Sequence, residues 1–239
     1  MAKDEFGKHR SKSRFILEIR YDPLIQAFDR RGILLETLLH SFKNKMEHWR
    51  TENVAVHLAD DFNSPSKQIT VDHLRSLIIY EDPGSLEEFL DDSERFIKVV
   101  SGVFPGKLTH AKRIGIRFIS IFELPGYNTY EDVFTKFMQT FFISQLPSSL
   151  RFKDCSIVLD HESGRIAVGP AKRGENWVNG IFSRSEDNMP KFGFGIDIDS
   201  YAKEVECNSP DNLVASFRTV FDLTVATENE LMQALTARS

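Results

Sequence analysis

The sequence predicts an α+β protein built on a mainly antiparallel sheet, and three observations carry that prediction. Short runs with apolar residues at alternate positions recur along the chain, each closed by Pro, Gly, Asp or Ser. Between them lie stretches whose apolar residues step by three and four, several opened by a capping residue. Their order through Leu124 is β-α-β-β-α-β, the ferredoxin-like arrangement, which a helix, a hairpin, a strand and a helix then extend.

Phe15 to Tyr21 is the first strand, stopped by Asp22-Pro23. Leu35, Leu38, Leu39, Phe42, Met46 and Trp49 form one continuous stripe and so predict a helix. Val54 to Leu58 and Leu74 to Tyr80 are the next strands, joined through the polar stretch from Asp60 to Ser66. Ser85 opens a helix with Glu88 three residues on, the capping-box spacing, and Pro105-Gly106 ends it. Lys112 to Leu124 is the longest strand candidate.

The second half starts with a helix capped by Thr129 and Asp132, whose buried side carries Val133, Phe137 and Phe141. Cys155–His161 and Arg165–Val168 flank a tight connection at Glu162-Ser163-Gly164. Lys172 to Asn179 is an irregular loop, and Phe192 to Ile198 alternates as a strand. Ser209-Pro210 starts a helix, and Thr227 with Glu230 predicts a separate short one after it. Residues 1–14, polar and basic through Lys8, Arg10, Lys12 and Arg14, are expected to form a disordered tail. No low-complexity linker follows, so residues 15–239 are expected to form a single domain of closely packed halves, 15–125 and 126–239.

Composition narrows the functional classes. The net charge of -5 provides no whole-chain basic field, so nucleic acid is not the expected partner, although a local basic patch is still allowed. The 20 phenylalanines fall on inward positions, as a core requires, rather than on an exposed base-stacking surface. No apolar run approaches the ~20 residues of a membrane span, and no N-terminal apolar core marks a secretory signal, so a cytoplasmic protein is expected. Cys155 and Cys207 belong to no C-x-x-C pair and are expected to be reduced thiols.

The most unusual segment is Arg113-Ile-Gly115-Ile-Arg117-Phe-Ile-Ser120. Strand alternation sends Ile114, Ile116 and Phe118 to one face, and Arg113, Gly115 and Arg117 to the other. The late strand does the same with Gly193, Gly195, Asp197 and Asp199. Two readings follow: the Arg and Asp pairs neutralise each other across the sheet, or they hold an anion or a metal. His57, Asp60 and Asp61 are a weaker metal candidate in a turn-forming context. The chain carries no P-loop, no G-x-S-x-G and no H-E-x-x-H, and no cofactor is called for.

The run from Arg113 to Ser120 resembles the central signature, Arg-x-Gly-x-Arg-aromatic-x-Asn with a proline soon after, of a sporadically distributed family of conserved hypothetical proteins in bacteria and archaea. Leu17-Glu18-Ile19-Arg20, Ile196-Asp197-Ile198-Asp199 and Phe221-Asp222-Leu223 are similar to that family's ends. Ser120 stands where the family has Asn, and Ile121 where Arg is common, which would alter any ligand site those residues build. The resemblance implies no catalytic activity, and by association it implies genes in mobile or defence-type cassettes. The expected function is a non-enzymatic binding or regulatory protein that docks a partner protein, a second copy of itself or an anionic ligand. The alternative is a metal-dependent phosphoryl-transfer enzyme using Asp197, Asp199, Arg113 and Arg117.

Overall fold

The computed structural model describes residues 3–106, 108–142, 155–161, 163–174, 182 and 189–237. In chain order these form β1 (Arg10–Tyr21), α1 (Gln26–Ser41), β2 (His48–Glu52), β3 (Ala55–Ala59), β4 (Lys67–Val71), β5 (Arg75–Glu81), α2 (Leu86–Val103) and β6 (His110–Phe122). α3 (Tyr130–Phe141), β7 (Ile157–His161), β8 (Gly164–Lys172), β9 (Phe192–Glu206) and α4 (Pro210–Thr236) follow. The strands form one sheet in the order β2-β3-β4-β5-β1-β6-β9-β8-β7, with every pair antiparallel.

Alternation along the central strands separates two faces. Phe15, Leu17 and Ile19 of β1 and Ile114, Ile116 and Phe118 of β6 are buried against Leu34 and Leu38 of α1, Phe89 and Phe96 of α2, and Phe217 and Phe221 of α4. Phe118 sits at the centre, its ring 4.2 Å from Phe15 and 5.7 Å from Phe221 between centroids. Burying one such side chain contributes about 1.5–3 kcal/mol. A second cluster joins Phe137 of α3 and Met232 and Leu235 of α4 to Ile166 and Val168 of β8 and Phe194 and Ile196 of β9. α4 crosses both clusters, so one apolar layer lies between the sheet and its helices.

Three caps work as the spacing predicts. The side chains of Ser85, Thr129 and Ser209 accept from the backbone N–H three residues on, and Thr129 with Asp132 completes a capping box.

Elsewhere the structure corrects the expectation. α1 begins at Gln26 and ends at Ser41, because Asn44 takes a left-handed conformation (φ 71°) that turns the chain; Trp49 lies on β2 and is exposed. β2 and Lys67–Val71 are two further strands, so the order through β6 is β-α-β-β-β-β-α-β. The segment at Thr227 is not a helix start. α4 runs through it unbroken, with Thr227 and Glu228 both buried, because no helix breaker interrupts the apolar stripe. Lys172 ends β8, and residues 175–179 of the expected loop lie outside the described residues.

The N-terminal segment is structured from residue 3, and β1 starts at Arg10 rather than at Phe15. Two of its basic residues, Arg10 and Lys12, are matched inside the fold. Arg10 pairs with Asp4 and with the buried Glu228 of α4, and Asn229 of α4 donates to the Lys3 carbonyl (2.7 Å). Lys12 is buried beside Glu81 (3.0 Å) and Asp82 (2.6 Å). Cys155 is half-buried and Cys207 buried, both as free thiols. No helix among the described residues is long and apolar enough to cross a membrane.

Asp92, inside α2, is fully buried and accepts from Tyr80 of β5 (2.5 Å) while pairing with Lys45 (2.5 Å) and Arg95 (3.1 Å). It ties α2 to the sheet and to the turn after α1. Removing Asp92 leaves the Tyr80 hydroxyl without its buried acceptor, while Lys45 and Arg95 stay partly solvated, which costs about 1–3 kcal/mol. Asp92→Ala should therefore lower stability by that amount in urea unfolding, while Asp91→Ala, on the exposed side of α2, should leave the midpoint unchanged. Equal midpoints for the two variants would contradict this role.

Candidate functional site

Arg113, Gly115 and Arg117 lie on β6, and Asp197 and Asp199 on β9, all on the sheet face opposite the helices. Arg117 binds Asp197 through two hydrogen bonds, Nε to Oδ1 (2.8 Å) and Nη2 to Oδ2 (2.6 Å). Arg113 pairs with Asp199 at 2.5 Å and reaches Glu18 of β1 at 3.5 Å. The two sets thus meet directly. The bonding is diagonal, because the residue directly opposite Arg117 in the ladder is Asp199.

Gly115 makes the Arg113 pairing possible. A Cβ there would stand 3.1 Å from Arg113 Nε and 3.2 Å from its Cζ, so the guanidinium lies over the bare backbone. Tyr201, opposite Gly115, sits under the same guanidinium with its ring centre 4.7 Å from Cζ. The hydrogen bond to Asp197 holds the Arg117 guanidinium above its ordinary pKa, with burial opposing. Arg14 of β1 moves the other way: burial lowers it, Glu81 opposes and Arg117 adds to the lowering.

Arg113, Gly115, Arg117 and Asp199 border a shallow concavity of about 350 Å³. Its floor is Ile16, Leu77 and Ile79, half-buried side chains with no helix over them among the described residues. Glu18, Arg20, Arg113, Arg117 and Asp199 complete the wall. Sequence reasoning missed Ile16, Glu18, Arg20, Leu77 and Ile79 as members of the site. Alternation on β1 puts Ile16, Glu18 and Arg20 on this face, but the neighbours of β1 are decided only by strand order.

Each aspartate is turned to a guanidinium, and no group of three or more His, Cys, Asp or Glu converges as metal ligands among the described residues. Asp60 accepts from the N–H groups of Asp61, Ser66 and Lys67 and from the Ser66 hydroxyl; burial works to raise it, yet these bonds keep it below the usual carboxylate range. It closes the turn between β3 and β4, while His57 Nδ1 lies 3.0 Å from Thr70 Oγ1. Ser120 faces the helices and donates to Glu228 Oε1 (2.6 Å), so it lies outside the concavity.

The Arg117 and Asp197 side chains are 45% and 19% exposed, so their pairing is screened and contributes modestly. Arg117→Ala and Asp197→Ala should each cost about 1 kcal/mol, and the double variant should show a coupling of about 0.5–1 kcal/mol in urea unfolding. Additive, negligible shifts would show that the pair does not stabilise the sheet.

No protein-family model matches the chain, and no curated protein matches its sequence.

Proposed function

We propose that this chain is a non-enzymatic docking protein that receives a partner protein on the helix-free face of its sheet. The observation that supports it most is the floor of Ile16, Leu77 and Ile79, aliphatic and half-buried, framed by arginines already held in ion pairs. An apolar centre with a polar, arginine-bearing rim is the usual make-up of a protein interface, and groups oriented beforehand lose less freedom on binding.

The phosphoryl-transfer reading draws less support, since both aspartates are engaged by arginine rather than directed at a shared point. We carry three further readings on the same footing. β1, α1, β3, β5, α2 and β6 are a ferredoxin-like unit enlarged by β2 and β4. The chain is a relative of the sporadic bacterial and archaeal family, with genes in mobile or defence-type cassettes. It acts in the cytoplasm.

A photoreactive benzoylphenylalanine at Leu77, set against one at Thr219 on the outer side of α4, tests the proposal in cells that make the protein. One discrete adduct from position 77 and none from 219 is the expected outcome, and its mass tells a partner protein from a second copy of the chain. Adducts from 219 alone, or none from either, would refute docking on this face.

A further inference from the structure

The ladder registers place four cations side by side. Arg20 of β1 is opposite Arg75 of β5 on one side and Arg113 of β6 on the other, and Arg113 is opposite Lys203 of β9. With ~4.8 Å between adjacent strands, the row spans about 14 Å across the helix-free face. Like charges directly opposite each other in a sheet repel, so this row works against the fold unless something offsets it.

The offset within the chain is partial. Glu18 serves three of the four cations, at 2.8 Å from Arg20, 3.5 Å from Arg113 and 3.7 Å from Arg75. Asp72 adds a contact to Arg75 (3.4 Å) and Asp199 one to Arg113 (2.5 Å). Three carboxylates thus serve the three arginines, and Lys203 has no carboxylate contact among the described residues. Arg113 Nε is buried without a hydrogen-bond partner. Tyr201 steadies the end of the row, with Arg113 Cζ 4.7 Å and Lys203 Nζ 5.1 Å from its ring centre. Arg20 and Arg75 are about half exposed (53% and 50%), and Lys203 is exposed. The outer edge of the row therefore faces solvent.

We propose that this row takes the carboxylates of an acidic, aliphatic-bearing segment of the partner protein, an inference that rests on the docking reading above. The charge of the row calls for an anion, and the ground beside it says which kind. Two residue pairs along the ladder from the row lies Leu77, opposite Glu18, and two pairs further Ile79 faces Ile16. A segment with Glu or Asp spaced beside Leu, Ile or Val satisfies both the row and the floor. A nucleic-acid strand satisfies only the row: the floor is aliphatic, and Tyr201, the aromatic ring beside the row among the described residues, is covered by two cations.

Two measurements test this. Parent and Arg20→Gln/Arg75→Gln proteins are titrated with three labelled probes: a peptide alternating Glu and Leu, an all-Glu peptide of equal length, and oligo(dT). The Glu-Leu peptide should bind the parent most tightly. The double variant should bind it about tenfold more weakly, as the loss of two partly exposed ion pairs implies. Equal binding by parent and variant, no binding of the Glu-Leu peptide, or an equal response to the all-Glu peptide or oligo(dT) would overturn the inference. Lys203→Gln repeats the comparison should the double variant melt early. The adduct from position 77 is then sought in the double variant. Its loss supports the row as the determinant. Its persistence overturns this inference and leaves docking on the face standing, whereas its absence in the parent removes the docking reading itself.

Discussion

Every feature of this molecule depends on the register of β6 between β1 and β9. A strand alternates its side chains between two faces, so one register decides both. With Phe118 opposite Phe15 and Ile198, the aromatic centre of the core closes under α2 and α4. The same register puts Arg117 across from Asp199, and Arg20, Arg113 and Lys203 in one line. A slip of one residue would turn the arginines into the helices and the isoleucines to solvent. The cost of that exchange, several buried apolar side chains together with unpaired buried charges, holds the helix-free face in its arrangement.

Charge is used in two ways that burial separates. Where an ion pair lies inside, it joins elements distant in sequence. Asp92 links α2 to β5 and the turn after α1, Glu228 links α4 to Arg10 and Ser120, and Glu81 links β5 to Lys12. On the helix-free face the pairs are partly exposed, and their aim is orientation rather than cohesion. Glu18 and Asp199 hold Arg113 over Gly115, and Asp197 holds Arg117 at the edge of the aliphatic floor. Such groups contribute little to stability but are positioned in advance, which is what the proposed docking surface requires.

The alternation of Arg113-Ile-Gly-Ile-Arg117 and of Ile196-Asp-Ile-Asp199 was enough to bring these residues to one face and to expect their pairing. Capping residues placed three of the four helix starts within a residue or two, because a cap is a local device. Longer-range facts were not legible. β4 escaped notice because Lys67–Val71 is short and sits behind a polar turn, and Trp49 continued a helical stripe that Asn44 in fact interrupts. The basic N-terminus looked like a solvated tail because, Asp4 apart, the acidic partners of Arg10 and Lys12, namely Glu81, Asp82 and Glu228, lie roughly 70 to 220 residues further along. The cation row was hidden for the same reason. Each of its members is an ordinary strand residue until the order β5-β1-β6-β9 sets them beside one another.

The register itself is open to direct measurement. In an antiparallel ladder, directly opposite residues bring either their amide or their α protons close together, so cross-strand nuclear Overhauser contacts report the pairing residue by residue. The account predicts contacts from Arg20 to Arg113 and from Arg113 to Lys203, placing the cations in one row, with Phe15 facing Phe118 further along. Contacts shifted by one residue, with Arg113 facing Ile19 or Ala202, would contradict it and remove both the row and the docking face proposed around it.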